Sequence, residues 1–361
     1  MKIRVRRVGI LTAGGDAPGL NAVIRGIVKA AILKHKIEVT GITDGFEGLL
    51  MKDGFSPLSL AGVRGILPRG GTIIGTRNTG KFDPFFRDAP ESARARIMRA
   101  AIASLKRNRI DCLITIGGEG TLSVAQKFHE AGFPTIGVPK TIDNDLSATD
   151  YTFGFATAVQ TSSDALDRLT TTAESHDRVM ILEVMGRNAG WIALSSGIAG
   201  GADIILIPEI PFSVEKVVRH IKLRESTGAT AHIIVVAEGA RPRDKACLYY
   251  TASGGKKRLG GIAAWLADEL SGRIRNEVRP TVLGHIQRGG TPTAFDRILG
   301  SRFGAHAVEM AMKNKFGEMV CLRTPKISSV PIADAIKVYN IVDPGEGMIR
   351  SARAIGLAFG D

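Results

Sequence analysis

Short β-branched runs alternate along this chain with longer stretches in which apolar residues recur every three or four positions. The β-branched runs cover residues 8–12, 38–43, 112–116, 135–138, 179–184, 204–207, 233–237 and 281–283. The amphipathic stretches predict helices over residues 20–34, 92–107, 122–131, 155–173, 213–224 and 262–275. Strands that alternate with helices are typical of parallel, doubly wound sheets, so the pattern predicts an α/β fold.

The length of the chain predicts two lobes. At 361 residues it exceeds the size at which one hydrophobic core usually stops growing. We therefore expect two Rossmann-like lobes, each with a mainly parallel sheet, and an active-site cleft between them. The first lobe is assigned residues 1–154 plus about 287–320, and the second residues 155–286 plus about 321–361. The polar segment 241–261 is expected to be a surface excursion.

The formal net charge of +13 is compatible with nucleic acid, an anionic membrane or small phosphorylated ligands. The basic residues are scattered and form no basic-aromatic stripe, which favours phosphorylated ligands over nucleic acid. No stretch reaches the roughly 18 apolar residues that span a bilayer. Cys112, Cys247 and Cys321 lie far apart without CxxC spacing. We expect a cytoplasmic protein with reduced thiols and no nucleic-acid or membrane partner.

Glycine clusters follow two of the predicted strands, and ligands bind beyond the carboxyl ends of such strands. Gly14, in TAGGDAPG, lets the backbone approach a phosphate at a helix N-terminus, although a simple tight turn explains it equally. GGEGT repeats this arrangement, and Glu119 in it either holds Mg²⁺ or stabilises the helix N-terminus. The residues of this second cluster are Gly117, Gly118, Glu119, Gly120 and Thr121.

A carboxylate pair and several cations complete the candidate chemistry. PKTIDND places Asp143 and Asp145 two residues apart, where turn chemistry alone would also explain them. Phosphoryl transfer to an alcohol uses one carboxylate to accept the hydroxyl proton and another near metal or phosphate. The cations at predicted strand ends are either solvated charges or phosphate ligands. They are Arg178, Arg187, Arg279, His285 and Arg288.

Six motifs, in this order and spacing, resemble those of the A-type 6-phosphofructokinase family. They are GGDAPGLNAVIRG, GGEGT, PKTIDND, SHDRVMILEVMGR, VVAEG and VLGHIQRGGTPTAFDR. The resemblance covers roughly residues 8–312. It implies transfer of the γ-phosphoryl group of ATP, with Mg²⁺, to the 1-hydroxyl of fructose 6-phosphate. It also implies that the first lobe binds the phosphoryl donor and that the second binds fructose 6-phosphate and forms the subunit interface.

The resemblance also assigns roles to individual residues. Asp143 is the expected general base, with Thr141, Asp145 and Arg187 beside it. The donor is expected to contact Gly14, Arg77, Gly117, Gly118, Glu119, Gly120 and Thr121, with Glu119 as the metal ligand. Fructose 6-phosphate is expected to contact Thr141, Asp143, Arg178, Met185, Gly186, Arg187, Glu238, Arg279, His285 and Arg288. Arg178 and Arg279 are expected to reach a neighbouring subunit's site, which implies a homo-oligomer, dimer or tetramer.

Departures from the family pattern concern the donor. Gly120 leaves room for the α-phosphate of ATP, where pyrophosphate-using relatives carry an aspartate. Lys140 stands where ATP-using bacterial enzymes have glycine and pyrophosphate-using enzymes have lysine. Glu119 replaces the usual aspartate, and Arg77 arrives one residue early. The mixed signature is similar to ATP-dependent members close to the pyrophosphate branch. The alternatives are a pyrophosphate-dependent phosphotransferase and, more distantly, a non-catalytic sugar-phosphate-binding protein.

Overall fold

The computed structural model describes residues 3–77, 80–82, 89–251, 257–345 and 347–361. The chain divides into two compact units. The first unit comprises Met1–Thr141, Leu146–Ala156 and Arg288–Tyr339, and the second comprises Ile142–Asp145, Thr157–Gln287 and Asn340–Asp361. The predicted α/β class is confirmed, with a mainly parallel sheet in each unit.

The strands and helices alternate for most of the chain. The strands are β1 (Arg7–Thr12), β2 (Glu38–Ile42), β3 (Phe55–Leu58), β4 (Cys112–Gly117), β5 (Thr135–Pro139), β6 (Val179–Val184), β7 (Ile204–Leu206), β8 (His232–Ala237), β9 (Tyr249–Thr251), β10 (Lys257–Leu259), β11 (Val278–Val282), β12 (Glu318–Arg323) and β13 (Lys326–Pro331). The α-helices are α1 (Leu20–Lys29), α2 (Glu91–Arg107), α3 (Glu119–Glu130), α4 (Phe155–His176), α5 (Trp191–Ala199), α6 (Val214–Ser226), α7 (Ile262–Leu270), α8 (Ala294–Met312), α9 (Ile332–Ala335) and α10 (Gly347–Ala354). None of the helices in the described ranges is long and apolar enough to cross a membrane.

The first unit contains a seven-stranded sheet in the order β13-β12-β5-β4-β1-β2-β3. Its inner pairs are parallel, whereas β2 with β3 and β12 with β13 are antiparallel. Because parallel strands share a direction, the loops that follow β1, β4 and β5 leave the same edge of the sheet. This edge carries the glycine clusters and Lys140.

Both faces of the first sheet are covered, as a doubly wound fold requires. Val8 and Ile10 of β1 pack in one core cluster with Phe303 of α8, whereas Leu11 joins Phe128 of α3 in another cluster. All five side chains are buried, and full burial of such a side chain contributes about 1.5–3 kcal/mol. Alternation along one strand therefore anchors helices on opposite faces.

Small residues allow α1 and α8 to pack closely on the first face. A Cβ atom on Gly304 would lie 2.4 Å from the carbonyl oxygen of Val23, and one on Gly26 would lie 2.7 Å from that of Ser301. Any larger side chain at either glycine would push the two backbones apart. The helix that follows the first glycine loop is thus fixed against the sheet by α8.

The second unit contains a four-stranded sheet in the order β11-β6-β8-β7, with every pair parallel. At the β7 edge, Ile205 donates its N–H to Ala358, and Ala358 donates to Asp203. Residues near position 358 therefore extend the sheet edge that begins 150 residues earlier in the chain. β9 and β10 form a separate antiparallel pair inside the predicted surface excursion.

Among the differences between predicted and observed boundaries, two are large. The helix predicted over 262–275 ends at Leu270, because Ser271 is extended with ψ 130° and Gly272 has a left-handed φ of 78°. Residues 321–339 were expected in the second lobe but lie in the first unit. The reason is that β12 pairs with β5 on one side and β13 on the other, which the sequence pattern after residue 319 did not indicate.

Candidate active site

The loop after β1 brings backbone rather than side chains to the edge of the first sheet. Gly14 has a left-handed φ of 78°, and its carbonyl oxygen accepts from Thr76 Oγ1 at 2.7 Å. Its N–H donates to the carbonyl oxygen of Arg77 at 3.3 Å. Gly19, also left-handed with φ 102°, precedes the first residue of α1. The loop is therefore held by contacts with Thr76 and Arg77 and leads into a helix N-terminus.

The loop after β4 runs directly into α3, which starts at Glu119. A Cβ atom on Gly117 would lie 2.3 Å from Cβ of Thr121, so the close turn of this loop excludes a side chain there. A Cβ on Gly118 would lie 3.3 Å from the carbonyl oxygen of Lys140. Glu119 Oε1 accepts a hydrogen bond from Ser123 Oγ at 3.1 Å in the first turn of the helix.

The two glycine loops converge around Gly14. A Cβ atom built there would lie 3.5 Å from Thr121 Oγ1 and 3.6 Å from Lys140 Nζ. Lys140 is 4% exposed, and its ammonium group donates to the carbonyl oxygen of Gly15. The ammonium group of Lys140 and the hydroxyl of Thr121 therefore both lie near the backbone of Gly14, which has no side chain. This arrangement is suited to binding an anion.

Arg288 belongs to the same unit and approaches the same loop. Its Nη1 donates to the carbonyl oxygen of Asp16 at 3.3 Å, and it would lie 2.9 Å from a Cβ atom on Gly15. The sequence grouped Arg288 with the sugar-phosphate residues, whereas its contacts here are with the first glycine loop. No sequence signal indicates this contact, which joins residues 272 positions apart.

A cavity of about 590 Å³ opens beside Gly14, Gly120 and Thr121 in the first unit. Its apolar lining includes Phe46 and Phe82, whose ring centroids are 5.4 Å apart. Small-molecule sites commonly have this size and a mostly apolar wall with a few polar groups. No local sequence pattern indicates this wall, because its residues come from separate elements. The further lining residues are Ala13, Glu47, Arg77, Glu91, Arg94, Ala95, Met98, Ser123, Val124, Lys127, Glu130 and Ala131.

Arg77, a predicted donor residue, lines this cavity but is held by a neighbouring acid. Its Nη2 lies 3.0 Å from Asp44 Oδ2, and half of its side chain is exposed. Among the described residues, no group of three or more His, Cys, Asp or Glu side chains is placed to hold a metal. A metal in this unit would therefore depend on ligands beyond the protein side chains, as Mg²⁺ commonly does.

The second unit presents charged side chains instead. The chain enters it at Ile142, and Asp143 is 4% exposed. The Asp143 Oδ2 atom lies 3.9 Å from Nε of Arg187, which follows β6. Asn144 and Arg187 both have left-handed φ values, 53° and 51°. Non-glycine residues adopt this conformation at a cost and often at functional sites.

Glu238 follows β8 and joins the loop of Arg187. Its Oε1 accepts the backbone N–H of Arg187 at 3.1 Å. Burial raises the pKa of Glu238 most, and the negative charges of Asp143 and Glu183 raise it further. The hydrogen bond and the charge of Arg187 oppose this shift. The structure thus brings Asp143, Arg187 and Glu238 together, with Gly186 at a left-handed φ of 143° in the same turn.

The remaining predicted sugar-phosphate residues form two groups, one near each end of β6. His285 is exposed in the turn after β11, the strand beside β6, and Met185 is half-buried after β6. Arg178 precedes β6, so the six-residue strand places it about 20 Å from Met185. Arg178 and Arg279 both contact Glu277. The structure therefore does not bring these two arginines to the Arg187 loop of their own chain.

The chain has clear relatives. A family model described as Phosphofructokinase matches residues 7–311. An ATP-dependent 6-phosphofructokinase of Chloroflexus aurantiacus is 53% identical over 361 residues, which cover 100% of this chain and 99% of the relative. The pyrophosphate–fructose 6-phosphate 1-phosphotransferase of Streptomyces coelicolor is 52% identical over 342 residues, 94% of this chain and 96% of the relative. Overall identity therefore does not separate the two donors.

A solved structure supports the fold. The phosphofructokinase of Saccharomyces cerevisiae superposes with a TM-score of 0.80 at 30% identity and covers 92% of this chain. This chain spans 45% of the length of the yeast chain.

Proposed function

This chain belongs to the phosphofructokinase family, and on that premise we propose that it transfers the γ-phosphoryl group of ATP to the 1-hydroxyl of fructose 6-phosphate. The product is fructose 1,6-bisphosphate, and the reaction is a step of glycolysis. The observation that carries the choice of ATP is the cavity of about 590 Å³ next to Gly120. It offers an apolar space of the size of a nucleoside beside the glycine loops, which a pyrophosphate donor does not need.

The donor side is assigned to the first unit. The loops at Gly14 and Gly117 are assigned to the phosphates of the donor, and the first turn of α3 adds the positive end of its dipole. Gly120 and Thr121 line the cavity at the point where base and phosphates would meet. Lys140 supplies a buried positive charge beside this point.

The ligands available in the first unit are suited to Mg²⁺. Mg²⁺ usually keeps several waters and binds one or two carboxylates together with substrate phosphates. Glu119 provides such a carboxylate, and a single protein ligand agrees with the finding that the described residues form no larger metal cluster. When bound, Mg²⁺ would offset negative charge on the transferred phosphoryl group.

The acceptor side is assigned to the second unit. The carboxylate of Asp143 takes the proton of the sugar 1-hydroxyl, and Arg187 places a guanidinium next to it. Thr141 and Asp145 flank the base. Such a reaction requires mostly positioning and charge stabilisation rather than covalent chemistry. The proposed sugar-phosphate contacts are Met185, Gly186, Glu238, His285 and Arg288.

Arg178 and Arg279 are assigned to the site of a neighbouring subunit in a homo-oligomer, a dimer or a tetramer. Their position at the far end of β6 from Arg187 supports this assignment, since the strand keeps them about 20 Å from the sugar site of their own chain. We place the enzyme in the cytoplasm, where its substrates are made.

The second candidate donor is pyrophosphate. It is favoured by Lys140, whose buried ammonium group would compensate a pyrophosphate leaving group, and by the Streptomyces relative. A nucleotide donor would fill the aromatic cavity, whereas pyrophosphate would leave it unfilled.

The deciding experiment measures initial rates with fructose 6-phosphate and a panel of MgATP, MgGTP and magnesium pyrophosphate. We expect turnover with MgATP and at least tenfold lower kcat/KM with pyrophosphate. Activity with pyrophosphate alone would assign the chain to the second candidate. A lack of turnover with every donor, combined with measurable fructose 6-phosphate binding, would instead support a non-catalytic sugar-phosphate-binding protein.

A further inference from the structure

Residues 340–342 form a return segment that re-enters the second unit after β13 and α9 have completed the first. Asn340 makes three hydrogen bonds within this unit. Its side-chain Nδ2 donates to the carbonyl oxygen of Asn144 at 2.8 Å, and its backbone N–H donates to that of Asp145 at 2.9 Å. Its own carbonyl oxygen accepts from Trp191 Nε1 at 2.9 Å. One residue thus contacts both the acid loop and the start of α5.

Val342 extends this connection through a buried carboxylate. Its N–H donates to Glu209 Oε1 at 2.9 Å, and the same oxygen accepts the N–H of Gly190 at 2.9 Å. Val342 is fully buried, and burial raises the pKa of Glu209. Gly190 and Trp191 end the loop that begins at Gly186, so the return segment holds this loop at two points.

The two loops that the return segment joins are those of Asp143 and Arg187. Each contains a non-glycine residue in the left-handed region, Asn144 and Arg187. Such a conformation persists only when its surroundings hold it. At Asn144 one holding group is the Asn340 amide, which donates to the peptide that joins Asn144 to Asp145.

We propose that Asn340 is a positioning residue for phosphoryl transfer, which fixes the carboxylate of Asp143 relative to Arg187 by pinning the peptides after Asn144 and Asp145. This inference rests on the proposed function. Asn340 contacts the acid loop through the carbonyl oxygens of Asn144 and Asp145. Its effect therefore falls on the geometry of the base rather than on substrate contacts.

The first test is Asn340→Ala in the full-length protein. The variant loses the Nδ2 donor but keeps both backbone contacts. We expect kcat to fall about tenfold or more, because small misplacements of a reacting group cost this much. KM for fructose 6-phosphate and for MgATP should stay within about twofold, since no substrate contact is removed. A kcat within twofold of the parent overturns the proposal.

The second test places the substitution in an Asp143→Ser background. If Asn340 acts through the carboxylate of Asp143, then Asn340→Ala should leave the residual rate of the Asp143→Ser enzyme unchanged. A further fall by the same factor as in the parent would show a general structural effect and would overturn the proposal. Both variants are compared at equal folded fractions, measured by their thermal unfolding transitions.

Asn108→Ala is the matched control. Asn108 is also half-buried, and its Nδ2 donates to the carbonyl oxygen of Ser104 at 2.9 Å, at the end of α2 in the first unit. Its loss removes an equivalent hydrogen bond and should leave kcat unchanged. A fall in kcat equal to that of Asn340→Ala would also contradict the positioning role.

Asn340→Asp serves if the alanine variant does not fold, since it keeps the shape and replaces the donor by a carboxylate oxygen. Failure of both variants to fold would make Asn340 a structural residue and would sink the proposal. The two failures can be told apart. If the proposed function is wrong, the parent protein has no kinase activity. If only the role of Asn340 is wrong, the parent is active and the Asn340 variants give one of the contrary results above.

Discussion

The two units approach their assigned phosphates with different chemistry. In the first unit, the loops after β1 and β4 offer backbone, and Gly14 and Gly117 matter because they lack side chains. In the second, the loops around Asp143, Arg187 and Glu238 offer charged side chains within hydrogen-bonding or ion-pair distance. We therefore expect catalytic activity to be sensitive to added atoms in the first unit and to removed charges in the second. Three substitutions test this contrast.

The largest effect is expected from Asp143→Ser, which removes a charge from the second unit. Loss of a general base lowers turnover by about 10²–10⁴-fold. KM for fructose 6-phosphate should change little, because the other proposed contacts with the sugar phosphate remain. Steady-state kinetics at saturating MgATP measures this split.

Asp150→Ser is the control for that experiment. Asp150 Oδ2 accepts the N–H of Thr324 at 2.7 Å in the first unit, outside the assigned chemistry. Its loss should lower the thermal midpoint but leave kcat unchanged. Near-normal turnover of the Asp143→Ser enzyme would remove Asp143 from the role of base.

A smaller effect is expected from Gly120→Asp, which adds a charge to the first unit. A carboxylate at the cavity wall would repel the phosphates of ATP, so we expect KM for MgATP to rise about tenfold to a hundredfold. KM for fructose 6-phosphate should stay unchanged. Gly120 lies in the first turn of α3, where alanine is well tolerated. Gly120→Ala therefore separates the added charge from the added volume, and an equal loss in both variants would contradict charge repulsion.

The smallest effect concerns stability and pH. Because the pKa of Glu238 is raised in the folded state, its contribution to stability is present below the ordinary carboxyl pKa and is lost as pH rises through the raised value. Glu238→Gln removes this titration. The free energy of unfolding, measured with urea at pH 5 and pH 8, should therefore decline less between these pH values in the variant than in the parent.

For Glu130→Gln in the first unit, the expected change in the pH dependence of stability has the opposite sign. A hydrogen bond from Lys127 lowers the pKa of Glu130. Its stabilising contribution is therefore present above the ordinary carboxyl pKa and is lost as pH falls through the lowered value. If both glutamine variants shifted the pH dependence in the same direction, the contrast between the two regions would be wrong for these acids.

The sequence predicted the buried parallel strands well, because their apolar runs are continuous and few alternatives satisfy them. The runs at 112–116 and 179–184 match β4 and β6 to within one residue. It missed β3, where Pro57 interrupts the strand pattern at a sheet edge. The strand pattern after Met319 did not indicate which unit β12 and β13 join, because β12 pairs with a strand far away in the chain. Local patterns specify elements, but they do not specify which distant strand lies beside them.

The same reason limits the prediction of the site. The glycine and acid clusters stand out because strand ends must gather them at one edge. The wall formed by Phe46 and Phe82, the contact of Arg288 with Asp16 and the bonds of Asn340 have no local signature. They join residues far apart in sequence, so only the folded chain reveals them.

The return segment also sets an order of events during synthesis. Asn340 leaves the ribosome 196 residues after Asn144, which is about 10–40 s later at ordinary elongation rates. Until then the acid loop lacks the amide that holds it, and the β7 edge lacks Ala358. A nascent chain can thus complete the sheet of its first unit while its base is still unplaced. The full rate of phosphoryl transfer would then wait for residues 340–342 to hold the acid loop.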